Sequence, residues 1–175
     1  TILSCESFGA YYIPYIIRYY NRANHDINIS MTIAHNDNII ENTAELNNDI
    51  GFISKPIQNP KISVHEILED SIVFIAHPDF PFTRKDRLEI TDLNGQSLIL
   101  HEKGSVTRKI TDSLIRKYRI DLETNYEISN SEAIKRLVEQ GIGVAFISNN
   151  MVNEEVKSGR LVAVPVEEKT FKRKY

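Results

Sequence analysis

Short apolar runs alternate with amphipathic stretches along most of the chain, which predicts strands alternating with helices. The segment 125–148 shows this pattern most completely. Residues 126–128 predict a short strand, and apolar positions in 131–140 recur on one helical face. Residues 144–147 are all apolar, as in a strand that is buried on both faces. The segment is therefore predicted to be a β–α–β unit.

Polar residues stand at the start of each predicted helix. Glu132 follows Ser129 by three residues, which is a capping-box pattern. The same arrangement occurs where the predicted strand 96–100 leads into a helix beginning near Ser105. It also occurs where the strand Ile2–Leu3 leads into a helix after Cys5, Glu6 and Ser7. Helix starts of this kind, at the ends of strands, suit a small anionic or polar ligand.

The remaining pattern completes an α/β chain. It predicts strands at 28–34, 49–53, 62–68 and 71–75, and a helix at about 37–47. Regular alternation of strands and helices favours a largely parallel sheet. A loop at 77–87 interrupts the alternation near the middle of the chain. We therefore expect two small α/β lobes, with the strand at 71–76 crossing between them and a ligand cleft between the lobes.

Composition narrows the class of protein. The chain has 175 residues, of which 41% are hydrophobic and 26% charged, as in an ordinary globular protein. The formal net charge of −3 gives no electrostatic footprint for nucleic acid. No apolar run is long enough to span a membrane. A single cysteine, Cys5, rules out an internal disulfide and fits a reducing compartment, so we expect a cytoplasmic protein without a membrane partner.

Several short motifs, in this order, resemble the effector-binding domain of LysR-type transcriptional regulators. They lie at 8–14, 48–53, 69–78, 104–108, 130–143, Ser148 and 159–161. The resemblance implies the type 2 periplasmic-binding-protein fold, with two Rossmann-like lobes and a ligand cleft between them. It places lobe I at 1–74, lobe II at 75–165 and the start of the return crossover at 166–175. Compared with the family, the chain is expected to be C-terminally truncated, lacking the last strand and helix of lobe I.

The same resemblance implies a function in binding rather than in catalysis. The chain would sense a small effector, with an anion favoured by the hydroxyl-rich helix starts, and so control DNA binding and transcription by the full-length protein. DNA would be contacted only through an N-terminal domain that is absent here. The resemblance also implies a homodimer or tetramer that uses the helices at about 37–47 and 105–118. The alternative is a solute-binding protein of a transport system with the same fold.

The predicted effector-binding residues lie at or near the ends of strands. They are Cys5, Ser7, Phe52, Ser54, Ser105, Thr107 and Ser131. Hydroxyls at these positions can also serve only as helix caps, and Phe52 can belong to the core. Arg108 can pair with a ligand carboxylate, but it is more often an exposed residue of the first helical turn or part of a salt bridge between the lobes. A lone cysteine is more often a packed small residue than a redox thiol.

No catalytic or metal-binding pattern is present in the sequence. His101 and Glu102 are adjacent, but no nucleophile stands at a defined spacing from them, so an enzyme is not expected. The five histidines are widely separated, which disfavours a metal site. No glycine-rich nucleotide-binding motif occurs, so no cofactor is expected.

Overall fold

The structure is a computed structural model that describes residues 1–84, 89–164 and 172–175, with the backbone alone at 124 and 125. The chain divides into two compact units. Unit 1 comprises Thr1–Glu69 together with Arg173–Tyr175, and unit 2 comprises Asp70–Lys172. The predicted lobe boundaries at 74/75 and 165/166 stay a prediction, and the second lies outside the described residues. The predicted return segment is described only from Lys172 onward.

Unit 1 is built on a parallel sheet. Its strands are β1 (Ile2–Ser4), β2 (Met31–Ile33) and β3 (Ile50–Phe52), in the order β2-β1-β3. Its helices are α1 (Glu6–Tyr11), α2 (Ile13–Tyr20) and α3 (Asn36–Ala44). Phe8, Ile13 and Ile39 are almost fully buried and form the core of the unit with Cys5 and Tyr175. Side chains from both ends of the chain therefore share one core.

The first predicted helix is interrupted at Tyr12, where α1 ends and α2 begins. Pro14 lies in the first turn of α2. Proline has no backbone N–H to bond back to the preceding turn, and its ring clashes with that turn, so one continuous helix is disfavoured here. The break separates the short helix next to β1 from the longer, largely exposed α2.

Two of the predicted strands differ from the structure. β2 is shorter than the predicted 28–34 and is exposed at every residue. The predicted strand 62–68 is wrong, because this segment is irregular and Val64 and Ile67 are about half exposed. The backbone of this segment pairs with that of Tyr175, at Ile67 and Leu68. Alternating apolar residues form a strand only where a neighbouring strand supplies hydrogen bonds.

Unit 2 contains most of the remaining elements. Its strands are β4 (Glu69–Ala76, beginning at the last residue of unit 1), β5 (Ser97–His101), β6 (Thr124–Ile128), β7 (Val144–Ser148) and β8 (Val162–Val164). Its α-helices are α4 (Val106–Tyr118), α5 (Ser131–Glu139) and α6 (Asn153–Lys157), and 3₁₀ turns lie at Pro81–Arg84, Ile90–Leu93 and Asn149–Met151. The strand order is β6-β5-β7-β4-β8, and β9 (Lys172–Lys174) also pairs with β4.

The sheet of unit 2 is mixed, whereas the sequence pattern favoured a largely parallel one. β5 pairs in parallel with β6 and β7, but β4 runs antiparallel to β7 and β8. Every residue of β7 is buried, as its continuous apolar run predicts. Gly143 precedes β7 where a Cβ atom would collide with the carbonyl oxygen of Ser97, so glycine permits the close approach of β7 to β5.

Candidate functional site

Four of the predicted residues gather at one edge of the sheet in unit 1. β1 and β3 are parallel neighbours, so their carboxyl ends meet at this edge. The backbone N–H of Cys5 donates to the carbonyl oxygen of Phe52 at 2.9 Å, just beyond β1. Cys5, Ser7 and Ser54 are all buried, and Phe52 is partly buried. The structure thus brings together Cys5, Ser7, Phe52 and Ser54.

Hydrogen bonds hold the two serine side chains of this group in place. The hydroxyl oxygens of Ser7 and Tyr175 are 2.7 Å apart. The backbone N–H of Ser54 donates to Oδ1 of Asn36 at 2.9 Å, and Nδ2 of Asn36 lies 3.4 Å from the Ser54 hydroxyl. Both serine hydroxyls also act on the thiol of Cys5, whose pKa they lower. These contacts form a buried polar cluster, which we call the unit 1 hydroxyl cluster: Cys5, Ser7, Asn36, Ser54 and Tyr175.

Aromatic rings pack next to the unit 1 hydroxyl cluster. Phe8 stacks on Phe52 with ring centroids 4.6 Å apart, and on Tyr12 at 5.1 Å. The ring of Tyr175 lies 5.1 Å from that of Phe8. Phe52 therefore packs against the core of unit 1. Its partial exposure leaves the role of a ligand wall a prediction.

The environment of Cys5 disfavours a reactive thiolate. Burial raises the pKa of the Cys5 thiol above its ordinary value, because the charged form loses its hydration. The backbone N–H of Phe8, the charge of Arg173 and the hydroxyls of Ser7 and Ser54 act in the opposite direction, but burial outweighs them. The thiol is therefore protonated at neutral pH.

In unit 2, Ser105 and Thr107 lie at the start of α4, which follows β5. The Ser105 hydroxyl accepts a hydrogen bond from the backbone N–H of Arg108 at 3.0 Å, so Ser105 is the N-cap that the sequence predicts. Thr107 is buried in the first turn, and its carbonyl oxygen accepts from the Thr111 hydroxyl at 2.9 Å. Gly104, with φ near 99°, makes the turn between the strand and the cap.

Ser131 is the first residue of α5, which follows β6, and its side chain is 2% exposed. The N-cap is Asn130, whose Oδ1 accepts from the backbone N–H of Ala133 at 2.9 Å. The predicted capping box of Ser129 and Glu132 is therefore wrong, because the helix begins one residue later. β5 and β6 are parallel neighbours, so the starts of α4 and α5 lie at the same edge of the sheet.

The guanidinium of Arg108 forms hydrogen bonds and ion pairs with groups of unit 2. Its guanidinium donates to Asp112, Glu127 and the carbonyl oxygen of His101, each at 2.8 Å. Although burial alone would lower the pKa of Arg108, the two carboxylates raise it above its ordinary value, and Arg108 in turn lowers the pKa of Glu127. The described contacts of Arg108 thus brace α4 against β6 and give no support for the predicted salt bridge between lobes.

Sequence reasoning did not select three residues that shape the unit 1 region. Asn36 follows β2, so the rule that selected Cys5 and Ser54, namely position at the end of a parallel strand, also points to Asn36. Tyr175 and Arg173 carry no local signal. Tyr175 meets Ser7 across 168 positions of sequence, and no periodicity or motif reveals such a contact.

No group of three or more His, Cys, Asp or Glu side chains is arranged to hold a metal ion in the part of the chain that the structure describes. Within the same residues, no helix is both long and apolar enough to cross a membrane.

Polar residues at the ends of parallel strands, as in both α/β units, are typical of ligand-binding proteins. Comparison with known proteins identifies the family. The LysR substrate binding domain family matches residues 1–175, so the chain belongs to this family. The resemblance drawn from the short motifs is confirmed. The predicted α/β fold class is also confirmed by the structural similarity described next.

Named relatives are transcriptional regulators. The chain is 30% identical over 167 residues to the HTH-type transcriptional regulator YeiE of Escherichia coli strain K12, covering 94% of this chain and 57% of YeiE. It is also 30% identical over 165 residues to the HTH-type transcriptional activator CmpR of Synechocystis, covering 94% of this chain and 54% of CmpR. The chain thus spans little more than half the length of these relatives.

A solved regulatory domain shares the fold. The regulatory domain of CcmR from Synechocystis, determined in complex with 2-PG, is 25% identical to the chain. The two superpose with a TM-score of 0.84, over 99% of this chain and 83% of the CcmR chain.

Proposed function

We propose that the chain is the effector-sensing part of a LysR-type transcriptional regulator and that its activity is ligand binding. The observation that carries this proposal is the family match over residues 1–175. The similarity to named transcriptional regulators favours this function over solute transport. The DNA-binding domain lies outside this chain, and effector binding alters its contact with the operator by favouring one of the protein's conformations.

The proposed effector is a small anion, and the seven residues Cys5, Ser7, Phe52, Ser54, Ser105, Thr107 and Ser131 are proposed to contact it. Buried hydroxyls at the ends of parallel strands support this ligand class, because such positions face the ligand in open α/β sheets. The N-terminus of α4 adds free backbone N–H groups and the positive end of a helix dipole.

A comparison of two serine variants tests the site. A thermal-shift screen of small carboxylates and phosphates, 2-PG among them, first identifies a ligand. Calorimetry with that ligand then compares wild type, Ser105→Ala and the control Ser113→Ala, in which an exposed residue of the same helix is replaced. Ser105→Ala is expected to weaken binding about ten- to a hundredfold, because a hydrogen bond to a charged group is lost.

The same variants separate binding from folding. Loss of the cap in Ser105→Ala costs about 1 kcal/mol of unfolding free energy, measured by urea denaturation, and Ser113→Ala leaves both affinity and stability unchanged. Equal affinity of wild type and Ser105→Ala would mean that the hydroxyl serves only as a cap, and the assignment of Ser105 to the site would be wrong.

Self-association into a homodimer or tetramer is also proposed. The predicted interface helices at 37–47 and 105–118 correspond to α3 and α4. The tyrosine face of α2 is a further candidate, because Tyr15, Tyr19 and Tyr20 are 72%, 78% and 43% exposed. Sedimentation of wild type is expected to show a concentration-dependent dimer. If α2 contributes, Tyr19→Ser raises the dimer dissociation constant about tenfold, whereas Tyr126→Ser on β6 does not.

A further inference from the structure

A cavity of unit 2 lies between the loop that follows β4 and the end of α5. Its volume is about 520 Å³, within the range of sites that bind small molecules. It is lined by His77, Asp79, Phe80, Pro81, Glu139, Gln140 and Gly141. None of these residues belongs to the proposed effector site, so the cavity is a second candidate for ligand binding.

The cavity lies at the edge of the sheet opposite to the effector-site residues of unit 2. Ser105 and Ser131 follow the carboxyl ends of the parallel strands β5 and β6. β7 is parallel to β5, whereas β4 is antiparallel to β7, so β4 ends near the start of β7, away from that edge. α5 begins at Ser131 and ends in the cavity at Glu139. The two sites can therefore be occupied at the same time.

Hydrogen bonds and a ring contact fix the loop that forms one wall of the cavity. The backbone N–H of Phe80 donates to the carbonyl oxygen of His77 at 3.1 Å. The Thr83 hydroxyl donates to the carbonyl oxygen of Phe80 at 2.6 Å. The Phe80 ring lies 5.5 Å from that of Phe82, which belongs to the core of unit 2. This wall is thus formed before a ligand binds, as in most small-molecule sites.

The other wall is the carboxyl end of α5. Gly141 has φ near 70°, and its N–H donates to the carbonyl oxygen of Val138 at 2.9 Å. The N–H of Ile142 donates to the carbonyl oxygen of Leu137 at 3.1 Å, which completes a Schellman motif. The last turn of α5 carries the negative end of the helix dipole, and this end favours a cation.

The charged groups of the lining add to this preference. The side chain of Asp79 is 91% exposed, and its carboxylate lies 3.5 Å from Nδ1 of His77. The Glu139 carboxylate accepts from Arg136 at 2.8 Å and from Arg160 at 3.0 Å, so its charge is compensated. Among the described residues, no lysine or arginine pairs with Asp79 in the same way. Carboxylates only accept hydrogen bonds, so the lining complements a positively charged donor.

We propose that this cavity binds a small organic cation, an amine or guanidinium compound, with the Asp79 carboxylate and the last carbonyl groups of α5 as acceptors. A metal ion is not the proposed ligand, because no group of three or more His, Cys, Asp or Glu among the described residues is arranged to hold one. Phe80 and Pro81 are the apolar residues of the lining and suit the carbon chain of such a ligand. The inference goes beyond the proposed function and uses none of its effector-binding residues.

The test titrates the isotope-labelled chain with putrescine and with agmatine and follows the backbone amides by NMR. Ionic strength is held constant with sodium chloride, and butyrate, an anion of similar length, is the control ligand. Both cations are expected to shift the amides of Asp79, Gln140 and Gly141 saturably. Butyrate is expected to leave these amides unchanged. The amides of Ser105 and Ser131, at the opposite edge of the sheet, are expected not to respond to the cations.

Three variants separate the contact with Asp79 from the general effect of charge. Asp79→Asn removes a charge at an exposed position and is expected to raise the dissociation constant of both cations about three- to tenfold. Asp79→Lys places a like charge at the cavity and is expected to abolish saturable binding. Asp26→Asn removes the same charge from an exposed position of unit 1 and is expected to bind like wild type.

The inference is overturned if wild type and Asp79→Asn bind the cations equally or if neither cation gives saturable shifts. It is also overturned if the shifts occur at Ser105 and Ser131 instead. An equal loss of affinity in Asp26→Asn would assign the effect to the net charge of the chain and would overturn it as well. The proposed function is tested separately by Ser105→Ala, and none of these outcomes changes that comparison.

Discussion

The thiol of Cys5 lies directly before a helix, where the helix dipole and nearby hydroxyls favour a thiolate. Its burial has the larger effect, and the pKa of the thiol is raised above the ordinary value of 9.0. Since the nucleophile is the thiolate, the native protein presents a weakly reactive cysteine at neutral pH.

The buried, protonated state of Cys5 predicts that its thiol is alkylated slowly in the native protein. Alkylation of Cys5 by iodoacetamide at pH 7.5 is expected to be at least about tenfold slower in the native protein than in urea, because burial both limits access and holds the thiol protonated. The chain has only one cysteine, so no other thiol contributes to the signal. Equal rates in the two states would contradict the buried, protonated thiol.

Lys135 carries a buried charge that joins two helices of unit 2. Its ammonium group donates to the carbonyl oxygen of Met151 at 2.9 Å and to Glu155 at 2.8 Å. Lys135 is 3% exposed and Glu155 is 5% exposed. The pair therefore fixes α6 and the turn before it against α5. Removing one partner leaves an uncompensated buried charge.

Replacing Lys135 tests this connection. Lys135→Met is expected to lower the unfolding free energy by about 3 kcal/mol, because Glu155 loses its main partner. Urea denaturation provides the measurement, and Lys157→Met, on the exposed face of α6, is the matched control. The double variant Lys135→Met, Glu155→Leu is expected to recover part of the loss. A single variant as stable as wild type would show that the pair contributes little.

Glu139, at the end of α5, predicts a dependence of stability on pH. Burial alone would raise its pKa, but hydrogen bonds from Arg136 and Arg160 hold the pKa below its ordinary value of 4.5. A carboxyl group whose pKa is lower in the folded state stabilises the fold above its unfolded pKa. That contribution is lost as the pH falls through the lower, folded value.

The corresponding experiment compares wild type with Glu139→Gln. At pH 7 the variant is expected to be less stable by roughly 1–2 kcal/mol, because a carboxylate bonded to two arginines is replaced by a neutral amide. The difference should shrink as the pH falls below about 4.5, measured by urea denaturation at each pH. Glu154→Gln, on the exposed face of α6, is the control. A difference that does not change with pH would contradict the lowered pKa.

Sequence patterns predicted elements best where a single local rule decides the structure. The apolar run of β7 and the Ser105 cap of α4 are both found as predicted, because burial and capping are properties of a few neighbouring residues. The same reasoning was wrong for 62–68, where alternation was present but a full partner strand was not. It was also wrong for Ser129, since Asn130 competes for the same cap.

At the scale of the whole molecule, the order of motifs identified the family, whereas periodicity alone did not give the strand pairing. The antiparallel direction of β4 in unit 2 depends on contacts between distant segments. Part of the candidate site likewise comes from residues that are far apart in the sequence. Cys5 and Ser54 could be predicted because they follow predicted strands. Tyr175 and Arg173 could not, because only the three-dimensional fold brings the end of the chain into unit 1.

The position of Tyr175 in the core of unit 1 predicts that replacing it destabilises unit 1 but not unit 2. Tyr175→Ala removes a buried ring that packs on Phe8 and a hydrogen bond to Ser7, so unit 1 is expected to lose about 3–5 kcal/mol. Native-state hydrogen exchange should show faster exchange in β1 and β3, with β5 and β7 unchanged. The control Tyr19→Ala replaces a side chain that is 78% exposed. Equal loss of protection in both units would contradict the prediction.

The discontinuity of unit 1 also sets an order of events during translation. Residues 70–172 form unit 2 without a break, so unit 2 can fold as soon as this segment has left the ribosome. Unit 1 emerges first, yet its core is closed by Tyr175, which is synthesised after all of unit 2. The nascent chain therefore holds an open unit 1, with Phe8 not yet covered by that ring, for as long as the ribosome takes to make unit 2. Chaperones that recognise exposed aromatic segments would meet the protein during this interval.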